Sequence, residues 1–263
     1  MKTLKETLDE GSAYLLKNKI ENSDLDAWYL LSHLLGISRA QYFLSYHNKM
    51  NESLYKEYMN LIKQRASHMP LQYILGYQEF MGLKFIVNEK VLIPRQDTDH
   101  LVEEVLKVCA KKDVLDLCTG TGCIIISLAK LGKINRGVGV DISHDALAVA
   151  KENAYKNNVD IEWIQSDLFS RVEGMFDIIV SNPPYIPTKE IEKLNSQVKD
   201  YEPSLALDGK EDGLFFYKKI INNIKNYLKK GGYLFFEIGY DQGEVIKDYA
   251  NLDRVITGRY DSK

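Results

Sequence analysis

Asn182-Pro183-Pro184-Tyr185 follows directly on the apolar run Phe176-Asp177-Ile178-Ile179-Val180-Ser181. Proline fixes its own φ and drives the residue before it out of the helical region, so Asn182 is held extended at the end of the strand that this run predicts. The Asn182 side-chain oxygen and the Pro183 carbonyl are then two fixed acceptors, with Tyr185 as an aromatic face beside them. That set suits a planar NH2 group. The lone pair of an amide-type nitrogen is delocalised, and no side chain deprotonates it at neutral pH. Alkylation there needs acceptors for its hydrogens, a ring face for the developing positive charge, and alignment. Alignment contributes about 7–11 kcal/mol at best. No metal and no catalytic His is required. Asn182, Pro183 and Tyr185 are the candidate catalytic residues, and with Pro184 they are the candidate substrate contacts; a purely structural strand-end turn is the plainer alternative.

A second group of residues predicts a ligand site. Asp116-Leu117-Cys118-Thr119-Gly120-Thr121-Gly122 closes one apolar run and opens a helical one, and its glycines allow a tight turn and close approach of a ligand. A dinucleotide fingerprint would place Gly or Ala where Ile125 stands. A branched side chain at that position argues for a ligand without a pyrophosphate. Asp141 ends the next run, where a carboxylate can accept from both hydroxyls of a ribose or else cap the following helix. Asp167 follows the third run, placed to accept from an adenine amino group with Leu168 against the ring, or to be an exposed turn residue. Cys118, Thr119, Gly120, Thr121, Gly122, Asp141, Asp167, Leu168 and Asn182 are therefore the candidate contacts of a nucleoside-type cofactor.

The elements that must position these residues alternate in character from residue 101 onward. Strands are predicted at 114–117, 137–140, 161–164, 176–180 and 233–237, and helices at 101–109, 124–131, 144–157 and 213–229. This rhythm implies an α/β, Rossmann-like domain, a mostly parallel sheet with helices on both faces. Ligands of such sheets bind beyond the C-terminal strand ends. The three chemical signals fall at those ends. Residues 1–76 read instead as a small helical bundle. Asp24 is placed to cap a segment ending at Gly36, Asn51 starts a second, and Pro70 opens a short one that stops at Gly76. Residues 77–93, with turn signals at Gly82 and Asn88-Glu89, predict a β-hairpin linking the bundle to a domain over 94–263.

The composition narrows the class. A net charge of −3 offers no broad cationic footprint for nucleic acid, and the bundle itself carries nine Lys/Arg against eight Asp/Glu. No apolar run reaches membrane-spanning length, and the first residues lack a secretory signal pattern. A cytoplasmic protein is the expectation. Cys109, Cys118 and Cys123 are read as reduced thiols, with no partner ligands at metal spacing.

Taken together, these segments resemble the class I methyltransferases of the NPPY type, and within them the release-factor glutamine N5-methyltransferases. The likeness runs through residues 70–76 with Glu79-Phe80, Leu92-Ile93-Pro94-Arg95-Gln96-Asp97-Thr98-Asp99, residues 116–122, the Asn182–Tyr185 tetrad, residues 201–207 and Asp212-Gly213. It implies S-adenosylmethionine as cofactor without a metal. It also implies a five-helix N-terminal domain that docks on the substrate protein, and as substrate the glutamine of the Gly-Gly-Gln loop in peptide chain release factors. Neither nucleic acid nor membrane is required. Arg95 and Thr98 would line the cofactor cleft; an ion pair of Arg95 with Asp97 or Asp99 is the alternative. A ribosomal-protein glutamine methyltransferase would share the catalytic residues, an adenine-N6 DNA methyltransferase would need a basic groove, and a non-catalytic cofactor-binding module would not need an intact tetrad.

The chain departs from the family pattern at three places. Gln96-Asp97-Thr98-Asp99 stands where Pro-Glu-Thr-Glu is common. Cys118 replaces a frequent glycine, which raises the prospect of a reactive thiol at the cofactor. After Glu244 there is too little chain for the expected crossover helix: either the chain lacks that helix, or, the favoured reading, residues are missing from the sequence.

Overall fold

The structure, a computed structural model, describes residues 1–239, 246–247 and 253–260. Cα proximity divides the chain into two compact units, one formed by Met1–Gly76 with Ser196–Tyr201 and the other by Tyr77–Asn195 with Glu202–Lys263.

The first unit is built from α1 (Leu4–Lys17), α2 (Ser23–Leu35), α3 (Arg39–Ser45), α4 (Glu52–Ala66) and α5 (Leu71–Leu75). Local chemistry sets most of the boundaries. Thr3 and Glu6 close a capping box on α1, as do Ser38 and Gln41 on α3. Asn51 caps α4 through Ser53 N–H, while Gly36 and Gly76 end α2 and α5 in the left-handed conformation. The cap of α2 differs from expectation. It is Asn22, and Asp24 lies inside the first turn, where its carboxylate accepts from the Ser12 hydroxyl. Leu15, Leu30, Leu31, Tyr58 and Ile62 are fully buried at the centre. Beside them runs a buried ion pair, Arg65 Nε donating to Asp26 Oδ2 at 2.7 Å, with Arg65 Nη1 also bound to the Met69 carbonyl.

The second unit begins with the hairpin β1 (Tyr77–Phe80) and β2 (Leu83–Ile86). Met81 and Gly82 both take positive φ, the conformation of a two-residue hairpin turn. The hairpin is shorter than the predicted one because residues 87–93 leave the ladder at a turn, with Val91 N–H donating to Asn88 O. Phe80 and Phe85 join the core beneath the main sheet, so the hairpin packs with this unit. Next come α6 (Asp97–Leu106), β3 (Asp113–Leu117), α7 (Cys123–Gly132), β4 (Arg136–Asp141), α8 (His144–Asn157), β5 (Glu162–Gln165) and β6 (Phe176–Ser181). The remaining elements are α9 (Thr188–Ile191), α10 (Ser196–Lys199, in the first unit), α11 (Ser204–Leu207), α12 (Phe215–Asn223), β7 (Leu228–Glu237), β8 (Ile246–Lys247) and β9 (Asp253–Arg259).

The strand order is β5-β4-β3-β6-β7-β9-β8, parallel from β5 to β7 and antiparallel beyond. This is the expected α/β architecture. The order reverses between β3 and β6, which opens a crevice above their C-terminal ends. One predicted helix is too long: residues 213–229 hold α12, a 3-10 turn and the start of β7. Lys229 is drawn into the sheet by Asp113 and Asp177 at 2.9 and 3.0 Å. Gly232 lies so close to Asp177 O that a Cβ there would approach it to 2.7 Å. Residues 240–245, where the crossover helix is looked for, lie outside the described residues. Among the described residues no helix is long and apolar enough to cross a membrane.

Removing the arginine of the bundle's ion pair would leave Asp26 charged and buried. Arg65→Met is expected to cost about 3–5 kcal/mol, and Asp26→Leu/Arg65→Met to recover most of it. Urea unfolding of the three proteins measures this; a single variant as stable as the parent would contradict it.

Candidate active site

The crevice at the reversal point is a cleft of about 870 Å³, part of it open solvent, in the size class of small-molecule sites. Its floor is the loop after β3. Cys118, Gly120 and Gly122 all take positive φ, which carries the backbone over the sheet edge and into α7. Position 118 is thus one where glycine is the easy residue, and cysteine occupies it at some backbone strain. The two glycines serve different ends. A Cβ on Gly120 would meet no atom within 4 Å, so this position faces room for a ligand. One on Gly122 would strike Ile126 at 2.8 Å and Trp163 at 3.0 Å, so its missing side chain lets α7 pack. Ile125 is fully buried over Gly137, whose bareness makes room for the branched side chain.

Hydrogen bonds weld the loop to its neighbours. Thr119 N–H donates to Val140 O at 2.9 Å, and Ser166 N–H to Asp141 O at 2.9 Å. Asp141 Oδ2 accepts from Gly120 N–H and Oδ1 from Ser143 N–H, both at 2.9 Å. Ser143, not Asp141, caps α8. Each Asp141 oxygen keeps a lone pair. Burial raises this carboxyl above its ordinary range, with the Ser143 and Gly120 amides opposing. From the other side, Asn153 of α8 is wholly buried and donates to Thr121 O and Ile86 O, tying the loop to the end of β2.

Asp141, Asp167, Leu168, Cys118, Gly120 and Asn182 all line the cleft, with Pro184. Leu168 holds a φ of 48°, an uncommon state for a branched residue and one that marks functional loops. Asp167 is half exposed and lies 3.4 Å from Lys219. Thr119 and Thr121 line a smaller recess that shares Leu92, Cys118, Gly120 and Asn182 with the cleft. Pro183 and Tyr185 are not among the lining residues of either. Tyr185 is partly buried against the core containing Tyr217 and Phe236.

Electrostatics weigh against the reactivity that a cysteine at position 118 made conceivable. Burial pushes its thiol well up, and Asp141, Asp116 and Asp167 push it further. A thiol so placed stays protonated and is a poor nucleophile. Arg95 lines the recess beside Asn182 and Thr98. Its ion-pair partner is neither Asp97 nor Asp99: Nη2 donates to Oε1 and Oε2 of Glu202 at 2.8 and 2.6 Å, and the Glu202 side chain is only 1% exposed. Burial raises the Glu202 carboxyl while Arg95 lowers it. Residue-by-residue reading missed this pair, and also the cleft wall formed by Lys90, Val91, Pro203, Leu205, Ala206 and Phe216. Tyr201–Leu207 carried resemblance but no chemistry that local spacing could expose.

Comparison with known proteins is consistent with this geometry. Residues 6–76 match the PrmC N-terminal domain, and residues 96–198 the methyltransferase small domain. A release factor glutamine methyltransferase of Geobacter sulfurreducens is 39% identical, the alignment covering 98% of this chain and 96% of the relative. One from Clostridium botulinum is 40% identical over 97% and 99%. The chain belongs to the release factor glutamine methyltransferase family.

It is accordingly an S-adenosylmethionine-dependent methyltransferase, as the resemblance of its motifs implied. Among solved structures it is similar in fold to a Methanocaldococcus jannaschii tRNA m1G37 methyltransferase, with a TM-score of 0.50, 16% identity, and 71% of this chain and 57% of that one covered. The methyltransferase unit carries further buried acids, one of them in the motif that leads into the loop. Asp116 of β3 is fully buried, and its Oδ2 accepts from the Thr119 hydroxyl at 2.6 Å. Burial pushes its carboxyl from 3.8 up to about 7, against the Thr119 hydrogen bond.

An acid whose folded pKa is raised binds its proton more tightly when folded. Its contribution to stability is complete below the unfolded value of 3.8 and is lost as pH rises to about 7. Asp116→Asn should therefore gain on the parent protein as pH rises from 4 to 8, by a few kcal/mol at the upper end. Thermal melts across that range measure the difference, and a parallel pair of curves would contradict it.

Proposed function

We propose that this enzyme methylates the side-chain amide nitrogen of the glutamine in the Gly-Gly-Gln motif of peptide chain release factors, in the cytoplasm where translation ends. The observation that carries the reading is the place of Asn182, which borders both the cleft and its recess at the rigid turn after β6. A group there can meet cofactor on one side and an incoming planar amide on the other. The near-full-length relatives named for release factors direct the choice of amide.

The residues present fit S-adenosylmethionine. The room above Gly120, the remaining lone pairs of Asp141 and the apolar Leu168 beside Asp167 suit an adenosine. Asp141 would accept from the ribose hydroxyls and Asp167 from the adenine amino group. Cys118, Thr119, Thr121 and Gly122 would shape the loop beneath. The recess beyond Asn182 is where an amino-acid end would go. Arg95 offers five N–H donors, more than Glu202 consumes, and stands with Thr98 and the N-terminus of α7 to bind a carboxylate. When bound, the cofactor supplies a methyl group activated by a sulfonium.

The chain's own part is to orient and stabilise. The Asn182 oxygen and the Pro183 carbonyl accept from the two N–H bonds of the glutamine amide and hold its nitrogen at the cleft. Pro184 keeps the turn rigid. Tyr185 offers its ring to the cationic nitrogen formed in transfer, whose charge is relieved when one N–H proton passes to solvent. No side-chain base is needed, because that proton becomes acidic only after the methyl has arrived. The bundle of the first unit serves as the docking surface for the factor.

Incubation with labelled cofactor is expected to methylate a release factor and not its Gly-Gly-Gln→Gly-Gly-Ala variant; label in DNA instead would sink the assignment. Asn182→Ala should lower turnover about 10²–10³-fold while S-adenosylhomocysteine affinity changes only several-fold. Arg95→Ala should weaken S-adenosylhomocysteine at least tenfold yet leave methylthioadenosine, which lacks the amino-acid end, within threefold, roughly the loss of one charge-assisted contact. Calorimetry distinguishes these, and equal loss for both ligands would remove Arg95 from that role.

A further inference from the structure

Behind the Asn182–Tyr185 turn the backbone is more crowded than its sequence suggests. Ile186 forms a parallel bridge with Asp208. Ile186 N–H donates to Leu207 O at 3.1 Å, Gly209 N–H to Ile186 O at 2.8 Å, and Thr188 N–H to Lys210 O at 2.9 Å. The Thr188 hydroxyl adds a bond to Asp208 Oδ1 at 2.6 Å, and the same oxygen accepts from Lys210 N–H at 2.9 Å. Residues 186–188 and 207–210 are thus clasped, main chain to main chain, immediately after Tyr185.

Gly209 is the tight point of this clasp. A Cβ there would stand 2.7 Å from the Tyr185 carbonyl carbon, 2.8 Å from Tyr185 Cα and 2.8 Å from Gly213 Cα. All three are backbone atoms, so no side chain can swing away to make room. Gly209 lies outside the positive-φ region, so its own conformation does not demand glycine. In such a conformation alanine ordinarily stabilises a protein by limiting the unfolded chain. What excludes a side chain is main chain on two sides, Tyr185 and Gly213.

We propose that Gly209 is a positioning residue for methyl transfer: by admitting the 207–210 segment into contact with the Tyr185 main chain, it sets where the Asn182–Tyr185 clamp stands against the cofactor cleft. This deepens the function proposed above and rests on it. Gly209 lines neither the cleft nor its recess; it acts through Tyr185. Substitution by alanine must part the 207–210 segment from the Tyr185 and Gly213 main chains by a few tenths of an ångström or more, which resets the segment against which the Tyr185 backbone rests. Displacements of this kind penalise an aligned transfer far more than they penalise binding. Thr188 supports the same clasp from its exposed side, where removal of its hydroxyl loosens the clasp without crowding.

The test compares parent enzyme, Gly209→Ala and Thr188→Val, with release factor as methyl acceptor at saturating cofactor. S-adenosylhomocysteine binding, thermal midpoint and the Asn182 side-chain amide signal in nitrogen-15 NMR are followed on the same samples. Gly209→Ala is expected to lower kcat about tenfold to a hundredfold, with KM and S-adenosylhomocysteine Kd within threefold, the midpoint within a few degrees and the Asn182 signal displaced. Thr188→Val should lower kcat by less than tenfold, again with Kd unchanged. A Gly209→Ala enzyme with kcat within twofold of the parent overturns the proposal. So does a loss of kcat matched by an equal loss of S-adenosylhomocysteine affinity, which would mean that the whole site has collapsed. If the parent transfers no methyl to the factor, the functional reading fails instead. The Asn182 signal then decides the positioning role by itself, and an unmoved signal in Gly209→Ala refutes it.

Discussion

The cofactor cleft depends on one carboxylate. Asp141 spans the gap between the end of β4 and the loop after β3, accepting from Gly120 on one side and Ser143 on the other. Without those two bonds the Gly120 amide would point into the cleft unsatisfied, and the approach to α8 would lose its anchor. Hydrogen bonds from main-chain N–H groups to a carboxylate are among the stronger that proteins make. They fix the Asp141 carboxylate at the border of the cleft. A carboxylate that borders the cleft is thus held by the same contacts that join two loops.

Around that carboxylate the fold tolerates arrangements that a purely structural protein would avoid. Cys118 and Leu168 adopt left-handed backbone, Asp116 lies wholly inside the sheet, and Glu202 is sealed under Arg95. Each costs stability, and all belong to the one unit that holds the cleft. The regular parts of the same unit offset them. Ile125, Ile126 and Leu128 bury one face of α7, while Val114, Leu115 and Leu117 bury β3 on both sides. Rigid elements on either side of a strained loop keep the loop in place, which is what an aligned transfer reaction requires.

Much of this was legible in the residues because its causes are local. The apolar run before Asn182 and the two prolines after it dictate a strand and a stiff turn, and both are present at β6 and its end. Alternating runs placed five parallel strands within a few residues, save that β7 starts earlier than Tyr233. The Asp116–Gly122 pattern led to the cleft, and Ile125 is buried in the packing of α7. What stayed hidden depends on distance along the chain. Arg95 meets Glu202 across 107 positions, where nearby Asp97 and Asp99 were the obvious partners in sequence. The division of labour between Gly120 and Gly122 is equally invisible, since it depends on whether Trp163 or open space lies opposite. The early end of α12 reflects the Lys229 ion pairs with Asp113 and Asp177, which no helical periodicity announces.

The small segment at 196–201 has a meaning for the architecture as a whole. Six residues of the catalytic half of the sequence belong to the helical unit, where Gln197 accepts from Arg65 and the Tyr201 hydroxyl donates to Ser67 O at 2.7 Å. The first unit is therefore not a contiguous stretch of sequence. Cutting the gene at residue 76 would yield a bundle lacking a piece of its own surface and a catalytic fragment carrying an orphaned loop. The boundary between the units is set by which residues pack together and not by a single point along the chain.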